Sequence, residues 1–120
     1  MLRVICLAAA LLAPVLPQAQ PVSESMVDCA AHFENAAGWM SDATRSGRPA
    51  GASCVWHAAA VTEFAREGRT RTAEEVWADI DARTAAFAAK GRSYFLTREF
   101  RDRSASCRSF ARHTGVTFRP

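Results

Sequence analysis

The stretch "DCAAHFENAAGWM" at 28–40 decides the fold. Cys29, Phe33, Ala36 and Met40 recur at intervals of four, three and four. That spacing lays them along one side of an α-helix and on no face of a strand. Alanine, the best helix former, fills several of the positions between. The stripe continues to Ala43, so a helix over 24–46 is expected, with Ser23 or Ser25 as its cap. Gly38 lies inside it and is the place for a bend.

Working outward, three more segments carry a helical stripe. Residues 54–67, capped by Ser53, place Trp56, Ala60 and Phe64 inward. Residues 72–90 open on a capping box, Thr72 with Glu75 three positions on. Their inward set is Val76, Trp77, Ile80, Thr84 and Phe87. Residues 93–114 present Leu96, Phe100, Arg103, Cys107 and Phe110. A glycine follows each segment, at Gly47, Gly68, Gly91 and Gly115, where a left-handed residue closes a helix. "SGRPAGAS" at 46–53 reads as a turn-rich linker. Short connections favour antiparallel neighbours. The expected fold is all-α, a small up-down-up-down four-helix bundle stapled by one disulfide. The alternative is an orthogonal helical array with the first helix broken at Gly38.

The N-terminus reads as an address. Met1-Leu2-Arg3 is followed by an apolar run over 4–15 and by small residues in "LPQAQ". This is the pattern of a secretory signal over 1–19, leaving a single helical domain over 20–120. The run is shorter than the ~20 residues that span a bilayer, and no later stretch is long enough. A protein exported to the periplasm or beyond is expected, and abundant alanine and arginine suggest a bacterial source.

Cys6 leaves with the signal, so Cys29, Cys54 and Cys107 remain. In an oxidising compartment two of them pair. In an antiparallel bundle Cys29 lies ~8 Å and Cys107 ~10 Å from the same end, on the inward stripes of neighbouring helices. Cys54, at the start of the second helix, falls some 25–30 Å away. Bridged cysteines need Cα atoms within about 7 Å, so Cys29–Cys107 is the expected pair.

Cys54 is then the odd thiol, at a helix start with His57 one turn on. That arrangement suits a reactive thiolate or a metal ligand pair. Cys29 and His32 repeat the C-x-x-H spacing, so a Cys2His2 zinc set, or copper with Met26 or Met40, is the metal reading. Against it stand the loss of Cys29 to the disulfide and the wide separation of the two pairs. In that case His32 lies exposed on the flank of its helix. C-x-x-C-H is absent, so covalent haem is not expected. No cofactor is expected, and no catalytic set is visible.

Charge is unevenly spread. Residues 90–120 hold eight basic and two acidic side chains, whereas 20–89 hold six basic and ten acidic. Arg98, Arg101, Arg108 and Arg112 fall on one face of the last helix, opposite the Leu96–Phe100–Cys107 stripe. Such a ridge suits an acidic protein, a polyanion or an anionic membrane surface. Nucleic acid is disfavoured by the export signal and the acidic remainder. Arg103, within the apolar stripe, must snorkel or find an acid on the first or third helix. Trp39, Trp56 and Trp77 are candidates to line a pocket between helices. The function expected is that of a small exported helical protein that is not an enzyme and acts by binding or structural interaction. The alternatives are metal binding through Cys54 and His57, or a thiol-dependent redox protein centred on Cys54.

Overall fold

A computed structural model describes residues 20–40 and 43–118. The expected signal segment at 1–19 lies outside the described residues, as does the side chain of Ala43. Four α-helices follow one another: α1 (Val22–Trp39), α2 (Ala43–Arg66), α3 (Ala73–Ala88) and α4 (Arg98–Thr114). A 3₁₀ turn, Arg92–Leu96, precedes α4, and no strand occurs among the described residues.

The core is organised around α1. Ten of its eighteen residues are buried, including the adjacent pairs Met26–Val27 and Ala30–Ala31. A helix with one packed stripe cannot do this. α1 therefore has neighbours around most of its circumference: α2 most extensively, then α3, then α4. Small alanines let those neighbours approach. Ser23 with Glu67 and Glu34 with Ser53 show that α1 and α2 run antiparallel. Cys29 with Cys107 and Trp39 with Phe100 show the same for α1 and α4. Trp56, Phe64, Val76 and Ile80 close the main core from α2 and α3, all fully buried. A smaller cluster joins Ala36, Tyr94 and Phe100.

Local chemistry accounts for most helix ends. The Thr72 hydroxyl accepts from the Glu75 N–H at 3.1 Å, and Thr97 does the same for Phe100 at 3.2 Å. Gly68, Gly91 and Gly115 take positive φ. At Gly115 the left-handed turn lets its own N–H and that of Val116 both reach the Ala111 carbonyl, which closes α4 and sends the chain back toward the core.

The first half departs from the expected boundaries. The first helix stops at Trp39 rather than near 46, with Met40 extended. The "SGRPAGAS" stretch is not a linker. It lies inside α2, with Gly47 a helical residue rather than a stop and Pro49 an interior proline. An interior proline costs a helix about 3 kcal/mol. Here Pro49 is buried and α2 packs closely on α1, and that burial opposes the local preference. Ser53 is consequently not a cap. It sits fully buried in mid-helix and donates to the Glu34 carboxylate at 2.6 Å.

Nor do Ser23 and Ser25 cap α1, whose N-cap position is Pro21. The cap comes from the end of α2: the Glu67 carboxylate accepts the Ser23 N–H at 3.1 Å and its hydroxyl at 2.5 Å. Burial raises the Glu67 carboxyl, but the two Ser23 hydrogen bonds and the Arg69 guanidinium outweigh it and hold it below its ordinary range. Glu67→Ala is expected to destabilise the fold by about 1 kcal/mol, as loss of a helix cap does. Urea unfolding would measure it, and an unchanged midpoint would show that α1 does not depend on this cap.

Candidate functional site

The outer surface of α4 assembles the feature that the sequence marked most clearly. Phe100, Cys107 and Ala111 face the core, and Arg98, Arg101, Arg108 and Arg112 are exposed on the other side. Arg98 has a loose partner in Asp102 at 3.9 Å, both largely in solvent. Among the described residues the other three have no carboxylate partner. The other flank of α4 differs. There Glu99 pairs with Lys90 at 3.3 Å. Arg103 pairs with no acid of α1 or α3 among the described residues and lies instead over the Phe87 ring of α3 at 4.4 Å.

Among the described residues two hollows border α4. One, of about 510 Å³, lies between α1 and α4 over the disulfide and is lined by Asp28, Glu99, Asp102 and Arg103 with both bridged cysteines. Its three carboxylates are already engaged, Asp28 with Arg83 at 2.8 Å, Glu99 with Lys90 and Asp102 with Arg98. The other, of about 460 Å³, sits where α4 ends and the chain turns back, between Arg108 and Arg112 and the apolar Ala111, Val116 and Phe118.

Leu96 also bears on this surface. It does not join the core stripe as expected but is 78 % exposed, on the 3₁₀ turn beside Arg98. Tyr94 is buried in its stead. The early start of a tight turn, rather than of α4 itself, rotates Leu96 out of register with Phe100.

The C-x-x-H pairs come apart. Cys29 is bonded to Cys107, with Cα atoms 5.7 Å apart. His32 is not an exposed flank residue but is 3 % exposed in the core. Its ring stacks on Phe100, with centroids 4.2 Å apart. The Ser104 hydroxyl donates to the Phe100 carbonyl at 3.1 Å, which leaves its oxygen to accept from His32 Nε2–H at 2.7 Å. Burial, with Arg103 and Arg108 nearby, lowers the His32 pKa to about 4, so the ring is neutral at pH 7.

Cys54 is free and exposed. No hydrogen bond joins it to His57, whose Nε2–H donates to the Ala73 carbonyl at 2.8 Å and whose ring stacks on Trp77 at 4.1 Å. His57 thus fastens α2 to the start of α3. Among the described residues no group of three or more His, Cys, Asp or Glu could hold a metal ion. The alternative Cys2His2 set is not assembled among the described residues, because Cys29 is spent and His32 is enclosed.

The tryptophans separate too. Trp39 meets Tyr94, Phe95 and Phe100, Trp56 stacks on Phe110, and Trp77 covers His57. Neither of the two hollows described is lined by any of them. The signal that sequence reasoning passed over was the tail itself: Val116 and Phe118 pack on the core and build one wall of the hollow beside Arg112.

No protein-family model, no curated protein and no solved structure matches this chain.

Proposed function

We propose that the chain is an exported, non-enzymatic helical protein that docks on an anionic membrane surface through α4. The observation that carries this is the row of four exposed arginines, three of them without a carboxylate partner among the described residues. Guanidinium groups are weakly hydrated and fork-shaped, which suits phosphate oxygens. Basic residues near an anionic leaflet contribute about 1 kcal/mol each. Exposed Leu96 beside the row favours lipid over an acidic protein or a soluble polyanion, because an apolar side chain among cations is suited to the headgroup boundary. The disulfide accords with an oxidising compartment and hence with export. No described helix is long and apolar enough to cross a membrane, so contact of this kind would be peripheral.

Co-sedimentation with vesicles tests it. Binding is expected to phosphatidylcholine vesicles containing phosphatidylglycerol, to weaken with added salt, and to be absent from pure phosphatidylcholine. Arg98→Gln with Arg101→Gln is expected to weaken it roughly thirtyfold, at about 1 kcal/mol per arginine. Equal binding to both vesicle types, or to neither at low ionic strength, would overturn the reading. Polyphosphate binding without vesicle binding would replace the lipid by a polyanion.

A further inference from the structure

The hollow at the C-terminal end of α4 brings charged and apolar side chains together. On one side stand Arg108 and Arg112, both exposed and without a carboxylate partner among the described residues. On the other stand Ala111, Val116 and Phe118. The wall is built rather than incidental. The Gly115 turn reverses the chain, Val116 bonds back to Ala111 at 2.9 Å, and Phe118 packs at 6.0 Å from Phe33 and 6.1 Å from Trp56. A volume of about 460 Å³ lies within the range of roughly 300–1,000 Å³ usual for small-molecule sites.

We infer that this hollow binds a single anionic amphiphile, its phosphate or carboxylate head held by Arg108 and Arg112 and its alkyl chain laid against Ala111, Val116 and Phe118. The head is set by charge: two unneutralised guanidinium groups one helical turn apart can grip one oxyanion together. The tail is set by the half-buried Val116 and Phe118, whose remaining apolar surface gains from covering. A bare anion would leave that wall wet, and a neutral alcohol would leave the arginines without a counter-charge. The inference rests on the reading of the α4 arginines as an anion-facing row, and adds that one end of the row takes up an individual molecule.

The disulfide-bonded protein should be titrated with decyl phosphate and decanoate below the concentrations at which they form micelles. Calorimetry gives the stoichiometry, and Trp56 emission reports on the wall, because Phe118 packs against Trp56. Saturable one-to-one binding is expected, at least tenfold tighter for decyl phosphate than for inorganic phosphate or decanol. Arg108→Gln with Arg112→Gln, both exposed positions, should weaken it at least tenfold with circular dichroism unchanged. Val116→Asn should weaken decyl phosphate while leaving inorganic phosphate as it was.

Absence of saturation, equal affinity for inorganic phosphate, or an unaffected arginine double variant would each overturn the inference. The two readings fail separately. Arg98→Gln with Arg101→Gln is expected to weaken vesicle binding roughly thirtyfold and keep decyl phosphate. Amphiphile binding without vesicle binding would sink the docking surface alone, and vesicle binding without amphiphile binding would sink the hollow alone.

Discussion

Replacing Cys29 and Cys107 with alanine is expected to lower stability by about 4 kcal/mol and the melting temperature by roughly 20 °C. The bond closes a loop of 78 residues in sequence separation, almost the whole domain, and long loops gain the most from closure in the chain-entropy account. The fold replaces it only in part, through the Trp56–Phe110 stack and the packing of Phe118 on Phe33 and Trp56. α4 has far less contact with α1 than α2 does, and it meets α3 mainly through Arg103 on Phe87. Without the bond, α4 is held to α1 chiefly by the His32–Ser104 hydrogen bond and the packing of Phe100 against His32 and Trp39. Thermal unfolding with and without a reductant measures the effect on the native sequence. Cys54→Ser is the control and should change stability by no more than about 0.5 kcal/mol, since the thiol is exposed and unpaired. A double variant melting within a few degrees of the native protein would mean that side-chain packing alone secures α4.

Acid is expected to have the next largest effect, through His32. Its folded pKa of about 4 lies below the usual 6.5. As pH falls through 6.5 the unfolded chain takes up the proton first, so the folded state loses ground until about pH 4, where the native ring also protonates. The full shift corresponds to about 3 kcal/mol, present above pH 6.5 and lost progressively between 6.5 and 4. His32→Phe separates this from the carboxylates that titrate lower. Phenylalanine can keep the stack on Phe100, and Ser104 retains its own bond to the Phe100 carbonyl. Urea unfolding of the variant should show a stability near native at pH 7 and a flattened slope between pH 6.5 and 4. A slope as steep as the native one would assign the acid sensitivity to other groups.

The C-terminal half of the fold was legible because its signals are local. Thr72 with Glu75, and the glycines at 68, 91 and 115, act within one turn of where they stand, so reading them required no tertiary knowledge. The N-terminal half resisted the same method. Gly47, Pro49 and Gly51 each disfavour helix locally, yet packing against α1 carries α2 through all three. That error matters for the cysteines. With α2 beginning at Ala43, the Ser53–Glu34 bond puts Cys54 level with the second half of α1, not beyond its far end. Cys29 pairs with Cys107 across antiparallel neighbours as expected, but Cys54 is excluded for a different reason: Ser53 takes the inward direction, and Cys54, next along the helix, is left facing solvent. His32 and Leu96 were exchanged between surface and core. A single stripe could not reveal that α1 is surrounded, or that a 3₁₀ turn would shift the register ahead of Phe100. At the candidate site the arginine row was legible from spacing alone. The hollow was not, since it depends on the tail folding back after Gly115.

The outward position of Cys54 has a consequence for how the chain is made. Cys29 lies closer in sequence to Cys54 than to Cys107, so loop closure in an unfolded chain favours the Cys29–Cys54 pair. An unstructured nascent chain would join the first two and strand the third. Docking of α1 on α2 removes that hazard, because it turns Cys54 to the outside while Cys29 remains on the side that α4 will later cover. Packing of α1 on α2 thus selects the disulfide: with Cys54 on the surface, Cys29 is left to Cys107.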